Sequence, residues 1–338
     1  MRRVSIAEIM RETGLSRATV DRALNGRGRV HARTREAIEH SIRKLQSPRG
    51  LAAQNGPKAD IVLRLGRGMM SEMRAAWEGQ KPDGTFHDLY QAQEAQTLEV
   101  VGKLCADASR PLILTVKNSD RLSDVLVAAR RRGKRIITMI SDVAREARDH
   151  FVGIDNRAAG QTAAFLIGRA LGDRPSSVGV VVGDIAFRGH EDREIGFRTA
   201  LRAHFPRIVL AGEAQGEDHQ DLTQQAVAKM IDQHPGLAAI YNVGGGNKGL
   251  ANALQAAGLS RHVIVVGHEV NYITAALLKD ASMDYAIAAS PAAQLAEALR
   301  VAHAPEASAT RDSSLLDFGV YTRFNLPAFH TPEAPQKG

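Results

Sequence analysis

Cysteine is nearly absent: the 338-residue chain has one, Cys105. A single thiol excludes an intrachain disulfide framework and any zinc site built only of cysteines. Its ordinary place is as a small buried hydrophobe on a helix. Aromatic residues are also few, 4% of the chain against 44% apolar residues in all. A core of that kind must be filled by Ala, Val, Ile and Leu, which suits an α/β protein. No apolar run is long enough to span a bilayer, and the first residues, MRRVSIAEIMRETG, lack a signal-peptide core. The expectation is a soluble cytoplasmic protein of two or three compact units, with no membrane partner.

What is present is positive charge in one place. Residues 1–50 carry 12 Lys+Arg and 5 Asp+Glu, an excess equal to the net charge of the whole chain, +7. Within them Val4–Asn25 reads as two short helices around a glycine turn. Ser5 and Glu8 form a capping box, and Ile6, Ile9 and Met10 share a face. Gly14 supplies the turn, Leu15 re-enters the core, Ser16 caps the second helix, and Val20 and Leu24 continue its stripe. A third helix over Thr34–Gln46 closes the core with Ile38, Ile42 and Leu45. A basic helix-turn-helix of this form is expected to bind double-stranded DNA. Arg17, Ala18 and Arg22 then face the bases, while Ser5, Ser16, Thr19 and Asn25 are placed for phosphates.

The order V-S-I-A-E-I, G-L-S-x-x-T-V, R-x-L-N-G and V-x-x-x-T-R-E resembles the DNA-binding headpiece of the lactose-repressor family of bacterial transcription regulators. The resemblance implies a headpiece over residues 1–46 and a homodimer on a near-palindromic operator. It also implies a hinge over 47–60. Asp21 stands where the family usually has Ser and is placed to pair with Arg17, the alternative being acceptance of a cytosine amino proton; His31 replaces the usual Ser cap of the third helix. The hinge segment is broken by Pro48, Gly50, Gly56 and Pro57. The family's wedging leucine would fall near Asn55, although Leu51 and the alanines could form a short helix.

From Ile61 the pattern changes to short β-branched runs, each followed by a helical one. Strands are expected at 61–65, 111–116, 135–140, 177–182, 238–243 and 263–267. Helices are expected at 98–107, 122–132, 158–171, 193–204, 222–233, 248–257 and 273–279. Alternation of this kind predicts parallel, doubly wound sheets with ligands at the carboxyl ends of the strands. The segments F-V-G-I-D-N-R-A-A-G, R-E-I-G-F-R-T-A-L, A-I-Y-N and V-V-G-H-E resemble, in order, a two-lobed sensor of the periplasmic sugar-binding type (type I). That resemblance implies a sensor over 61–330, with one lobe at about 61–155 and 285–330 and the other at about 156–284. An edge strand is expected over Leu315–Val320.

Asp142, Arg193, Asn242 and Glu269 fall just beyond expected strands, where carboxylates, amides and a guanidinium suit the vicinal hydroxyls of a sugar or polyol. Arg67 and Phe187 complete the candidate effector site. The loop GRGMMSEM lacks the asparagine and aromatic pair usual in the family, and offers Met69 and Met70 as apolar platforms. Arg64 and Arg67 beside it hint at an anionic effector; solvated surface arginines are the plainer alternative. Near Ala289 relatives often offer a glutamine. The run GGGNKG lacks phosphate-loop spacing, the histidines are separated singles, and Ser290 has no nucleophile-elbow context. No enzyme, cofactor or metal is expected. The sequence reads as a transcription regulator, a repressor, whose operator binding is controlled by a sugar or sugar derivative. The alternatives are a sugar-binding protein without a regulatory role and a regulator that needs a co-effector.

Overall fold

The computed structural model describes residues 6–13, 15–24, 34, 38, 57–304 and 312–327. Two compact units divide the chain, residues 1–58 with 81–83, and the remainder. In the first, helices α1 (Ile6–Thr13) and α2 (Arg17–Leu24) form over the expected apolar stripes. Ser16 opens α2, its Oγ accepting from the Thr19 amide at 3.3 Å. Ile9, Val20 and Ile38 are fully buried together, with Ile6, Met10, Leu15 and Ala23 against them. Leu24 was expected in this core but is 42% exposed, because α2 ends there and leaves the side chain beyond the packed stripe. Ser5, Gly14, Asn25, the hinge at 47–56 and most of the expected third helix lie outside the described residues.

The second unit is a two-lobed α/β structure. In chain order its first lobe holds β1 (Asp60–Leu63), α3 (Arg67–Gln80), β2 (Phe86–Asp88) and α4 (Glu94–Cys105). There follow β3 (Leu112–Thr115), α5 (Asp120–Arg131), β4 (Ile136–Met139) and β5 (His150–Gly153). The second lobe holds α6 (Asn156–Leu171), β6 (Ser176–Val182), α7 (Arg188–His204) and β7 (Ile208–Gln215). It continues with α8 (Gln220–Gln233), β8 (Leu237–Asn242), α9 (Asn247–Ala256), β9 (Ile264–His268), α10 (Tyr272–Lys279) and β10 (Tyr285–Ala288). The chain then passes through α11 (Pro291–Ala302), β11 (Ser313–Leu315) and β12 (Gly319–Tyr321).

The sheets run β11-β5-β4-β3-β1-β2 and β12-β10-β9-β8-β6-β7, parallel except for β12 against β10. The strands β1, β3, β4 and β5 are buried on both faces, and β1, β3 and β4 accordingly read as largely apolar runs rather than alternating ones. In each sheet the winding reverses once, between β1 and β3 and between β6 and β8. Those reversals open a crevice at the strand ends, where α/β proteins take ligands.

The structure moves the lobe boundary. Residues 285–330 were expected in the first lobe, but β10 hydrogen-bonds to β9, and only then does α11 cross to pack under the first sheet. The expected edge strand at 315–320 is two strands, β11 in the first sheet and β12 in the second. The segment GRGMMSEM, expected as a loop, opens α3. Met69, Met70, Met73 and Trp77 are buried along one side of that helix, a stripe masked in the sequence by Gly66 and Gly68.

Helices α6 and α7 touch backbone to backbone. A Cβ on Gly160 would lie 1.9 Å from the Arg193 carbonyl oxygen, and one on Gly196 would lie 2.2 Å from that of Arg157. Gly160→Ala is therefore expected to force the helices apart at a cost of about 1–3 kcal/mol. Thermal melting would read the loss, and an unchanged midpoint would show that the crossing tolerates a methyl group.

Candidate functional site

A cleft of about 470 Å³ lies between the two sheets, at both winding reversals. From the first lobe it is lined by Arg64, Leu65 and Gly66 after β1, and by Thr115 and Lys117 at the end of β3. Ile140 and Ser141 follow β4, with Met69, Tyr90 and Gln294 alongside. The second lobe offers Phe187, His190 and Arg193 from α7 and the turn before it. Glu217 and Asp218 follow β7, and Glu269 follows β9.

The two lobes present matching strained corners. Ile140 and Glu269, one residue beyond β4 and β9, have φ of 68° and 72°. Each amide donates to the next strand, Ile140 to Val152 at 2.9 Å and Glu269 to Ile287 at 3.1 Å. A β-branched residue with positive φ is an outlier that the surrounding sheet must hold in place. Here the corner turns both side chains' positions toward the cleft, which they line.

Arg193 is the most deeply buried cation that lines the cleft. Its Nε donates to Asn156 Oδ1 at 2.8 Å and one terminal nitrogen to the Val243 carbonyl at 3.0 Å. The guanidinium thus has a fixed plane and keeps donors for a ligand. Burial pulls its pKa below the ordinary value, opposed by Tyr241, Glu269 and Asp218. Burial also pushes the Glu269 carboxyl up to about 7; Arg193 and the Asn271 amide (3.1 Å) oppose this, and Asp218 adds to it. Beneath them, Tyr241 Oη and His268 Nε2 share a 2.7 Å hydrogen bond, and burial drives His268 well below its usual range.

Of the six candidate effector residues, the structure brings Arg193, Glu269 and Phe187 to the cleft. Asp142 is drawn away: its carboxylate takes Arg148 at 2.8 Å, the Thr138 hydroxyl at 2.6 Å and the Val143 amide. Asn242 is fully buried and braces the glycine turn by donating to Gly245 O and Asn247 Oδ1. Arg67 is exposed and lies over the Tyr90 ring, 5.1 Å from its centroid. Lys117, Asp218 and Gln294 were missed. Gln294, buried in the first turn of α11, lines the cleft alongside Ala289. Lys117 could have been found as the charge that follows the β-branched run of β3. On α2, Ser16, Arg17, Ala18 and Arg22 are exposed, Thr19 is half-buried, and Arg22 Nε bonds the Ala18 carbonyl at 3.0 Å.

A family model described as periplasmic binding protein domain matches residues 91–305. No curated protein matches the chain. Among solved structures, an ABC transporter solute-binding protein from Burkholderia graminis in complex with D-arabinose is 17% identical. The match covers 81% of this chain and 97% of that one, with a TM-score of 0.72. One from Agrobacterium vitis, bound with alpha-D-tagatopyranose, is 20% identical, with 79% and 96% covered and a TM-score of 0.71. A periplasmic component of an ABC-type sugar transport system from Hahella chejuensis is 17% identical, with 78% and 99% covered and a TM-score of 0.70. At these identities the likeness is one of fold.

These findings correct three expectations. The DNA-binding transcription regulator of the lactose-repressor family is contradicted, because the matching structures are solute-binding proteins of transporters. The cytoplasmic placement falls with it, since such relatives are periplasmic components. The operator DNA and the homodimer find no support in the comparisons. The physical reason for the error is local: charge and pattern in the first 50 residues carried it, whereas the family match begins at residue 91.

Proposed function

The chain belongs to the periplasmic binding protein domain family, and on that premise we propose that it is a sugar-binding protein, holding a carbohydrate-like molecule between its lobes. The observation that carries this reading is that Arg193 and Glu269 both line one wall of the cleft, beside the apolar surface of Phe187. A fixed guanidinium donates to ring or hydroxyl oxygens while a carboxylate accepts from neighbouring hydroxyls. An apolar ring covers the sugar's C–H face. The cleft's volume falls within the range of about 300–1,000 Å³ usual for small-molecule sites. The D-arabinose and tagatopyranose bound by proteins of this fold support the same ligand class.

The finer parts of the reading are these. Arg193, Glu269 and Phe187 bind the ligand, with Gln294 closing the first-lobe side. Residues 1–46 form a separate all-α headpiece of helix-turn-helix form, 47–60 a linker, and the rest the two-lobed binding unit. The protein binds its ligand without turning it over, so sugar recovered after incubation is chemically unchanged.

A thermal-shift screen of pentoses, hexoses and their derivatives tests the reading, because a ligand that binds only the folded state raises the melting temperature. For any hit, Arg193→Ala is expected to weaken binding by roughly tenfold to a hundredfold, as loss of a charged hydrogen bond in a partly dry site implies. Calorimetry reads that change. Equal affinity in Arg193→Ala and the parent would place the ligand elsewhere.

A further inference from the structure

The two walls of the cleft differ in charge. Among the described lining residues, the first lobe supplies two cations, Arg64 and Lys117, and no carboxylate. The carboxylate expected there, Asp142, is closed off by Arg148, Thr138 and its neighbour's amide. The second lobe supplies Glu217, Asp218 and Glu269 around Arg193. A neutral sugar would find donors without acceptor side-chain charge on one side and acceptors on the other.

We propose that Arg64 and Lys117 form a subsite for an anionic group, so that the ligand is a sugar bearing a carboxylate or a phosphate ester. This inference rests on the sugar-binding reading above and narrows it. Arg64 is held with unmet donors: its Nε is buried without a hydrogen-bond partner, and its NH1 stands 4.0 Å from Asp184 Oδ2, too far for a hydrogen bond. Lys117 pairs with that same oxygen. The two cations therefore converge on one carboxylate oxygen, contributed by the second lobe's turn after β6. Asp184 can pair closely with only one of them and Asp218 acts on Arg64 only from a longer range, which leaves the wall positive. The N-terminus of α3 opens beside Gly66 on the same wall and adds positive partial charge. Glu269 and Asp218 opposite would repel an acid, so the anionic end turns toward the first lobe and the hydroxyl end toward Arg193.

Calorimetry on the full chain with matched sets tests this: D-galactose, D-galacturonate and D-galactose 6-phosphate, and the corresponding gluco compounds. At least one anionic member should bind about tenfold or more tightly than its neutral parent, with an affinity that falls as salt rises. Whether the uronate or the phosphate is preferred identifies the group. Arg64→Met and Lys117→Gln should each bring the ratio of anionic to neutral affinity toward one, and Asp184→Asn should raise it by removing a competing carboxylate. Lys117 is half-exposed, so its variant serves if Arg64→Met does not fold. A neutral parent that binds as tightly as its anions, with the ratio untouched by Lys117→Gln, would overturn the subsite and leave the sugar-binding reading standing. If no member of either set binds, and no neutral sugar does, both fall together.

Discussion

Replacing Arg148 with Ala is expected to destabilise the first lobe by about 3–5 kcal/mol, the cost of stripping one partner from a buried ion pair. Arg148 is 8% exposed, and it grips both oxygens of Asp142 through Nε at 3.0 and 3.2 Å and through NH2 at 2.8 Å. Its NH1 donates to the Asp312 carbonyl at 2.7 Å, which pins the start of β11 beside β5. Without the guanidinium, Asp142 keeps only the Thr138 hydroxyl and the Val143 amide, and the returning strand loses an anchor. Asp142→Asn should cost less, since the amide can still accept from Arg148. Trp77 is the only tryptophan and lies in the first-lobe core against Phe86, so its fluorescence follows this lobe during urea unfolding. An unchanged midpoint in Arg148→Ala would mean that the pair contributes nothing net. A ligand affinity that fell with no loss of stability would return Asp142 to the cleft.

The same residues show how far the sequence could be read. The parallel sheets were legible because strands buried on both faces leave continuous apolar runs, as in Ile136–Met139 and Leu237–Asn242. The short strands β2, β5 and β10 were not in the expected set, nor was β7, whose eight residues at the sheet edge mix exposed and buried positions. Three or four residues such as Phe86–Asp88 carry too little pattern to stand out from a loop. At the site, strand ends were located correctly, but position at a strand end does not say where a side chain turns. Glu269 and Asp142 are equivalent by that criterion. Glu269 itself takes the left-handed corner that opens on the cleft, whereas in the first lobe Ile140 takes it and Asp142 falls two residues later, within reach of Arg148. Partners as distant in sequence as Asp312 decide such outcomes, and no local pattern records them.

The charge that the cleft holds least comfortably is Glu269, and its removal is the second large effect expected. Burial raises this carboxyl to about 7 in the folded protein, against an ordinary value of 4.5. Below the ordinary value both folded and unfolded chains hold the proton, and Glu269 contributes no pH dependence. Between about 4.5 and 7 the unfolded chain releases it while the folded protein retains it, so stability falls as pH rises. Above about 7 both forms are ionised and the loss levels off, at an order of about 3 kcal/mol for a shift of this size. Glu269→Gln removes the ionisable group but keeps an acceptor for the Asn271 amide. The variant should match the parent near pH 4.5 and exceed it in stability at pH 8, with the gap opening across the interval between. The substitution also strips a hydroxyl acceptor from the wall shared with Arg193, so the same variant should bind sugar more weakly at pH 8 while melting at a higher temperature. Melting curves of both proteins from pH 4.5 to 8 read the first effect, and calorimetry reads the second. Parallel stability profiles would show that Glu269 ionises freely in the folded protein, and that burial in the cleft does not hold its proton.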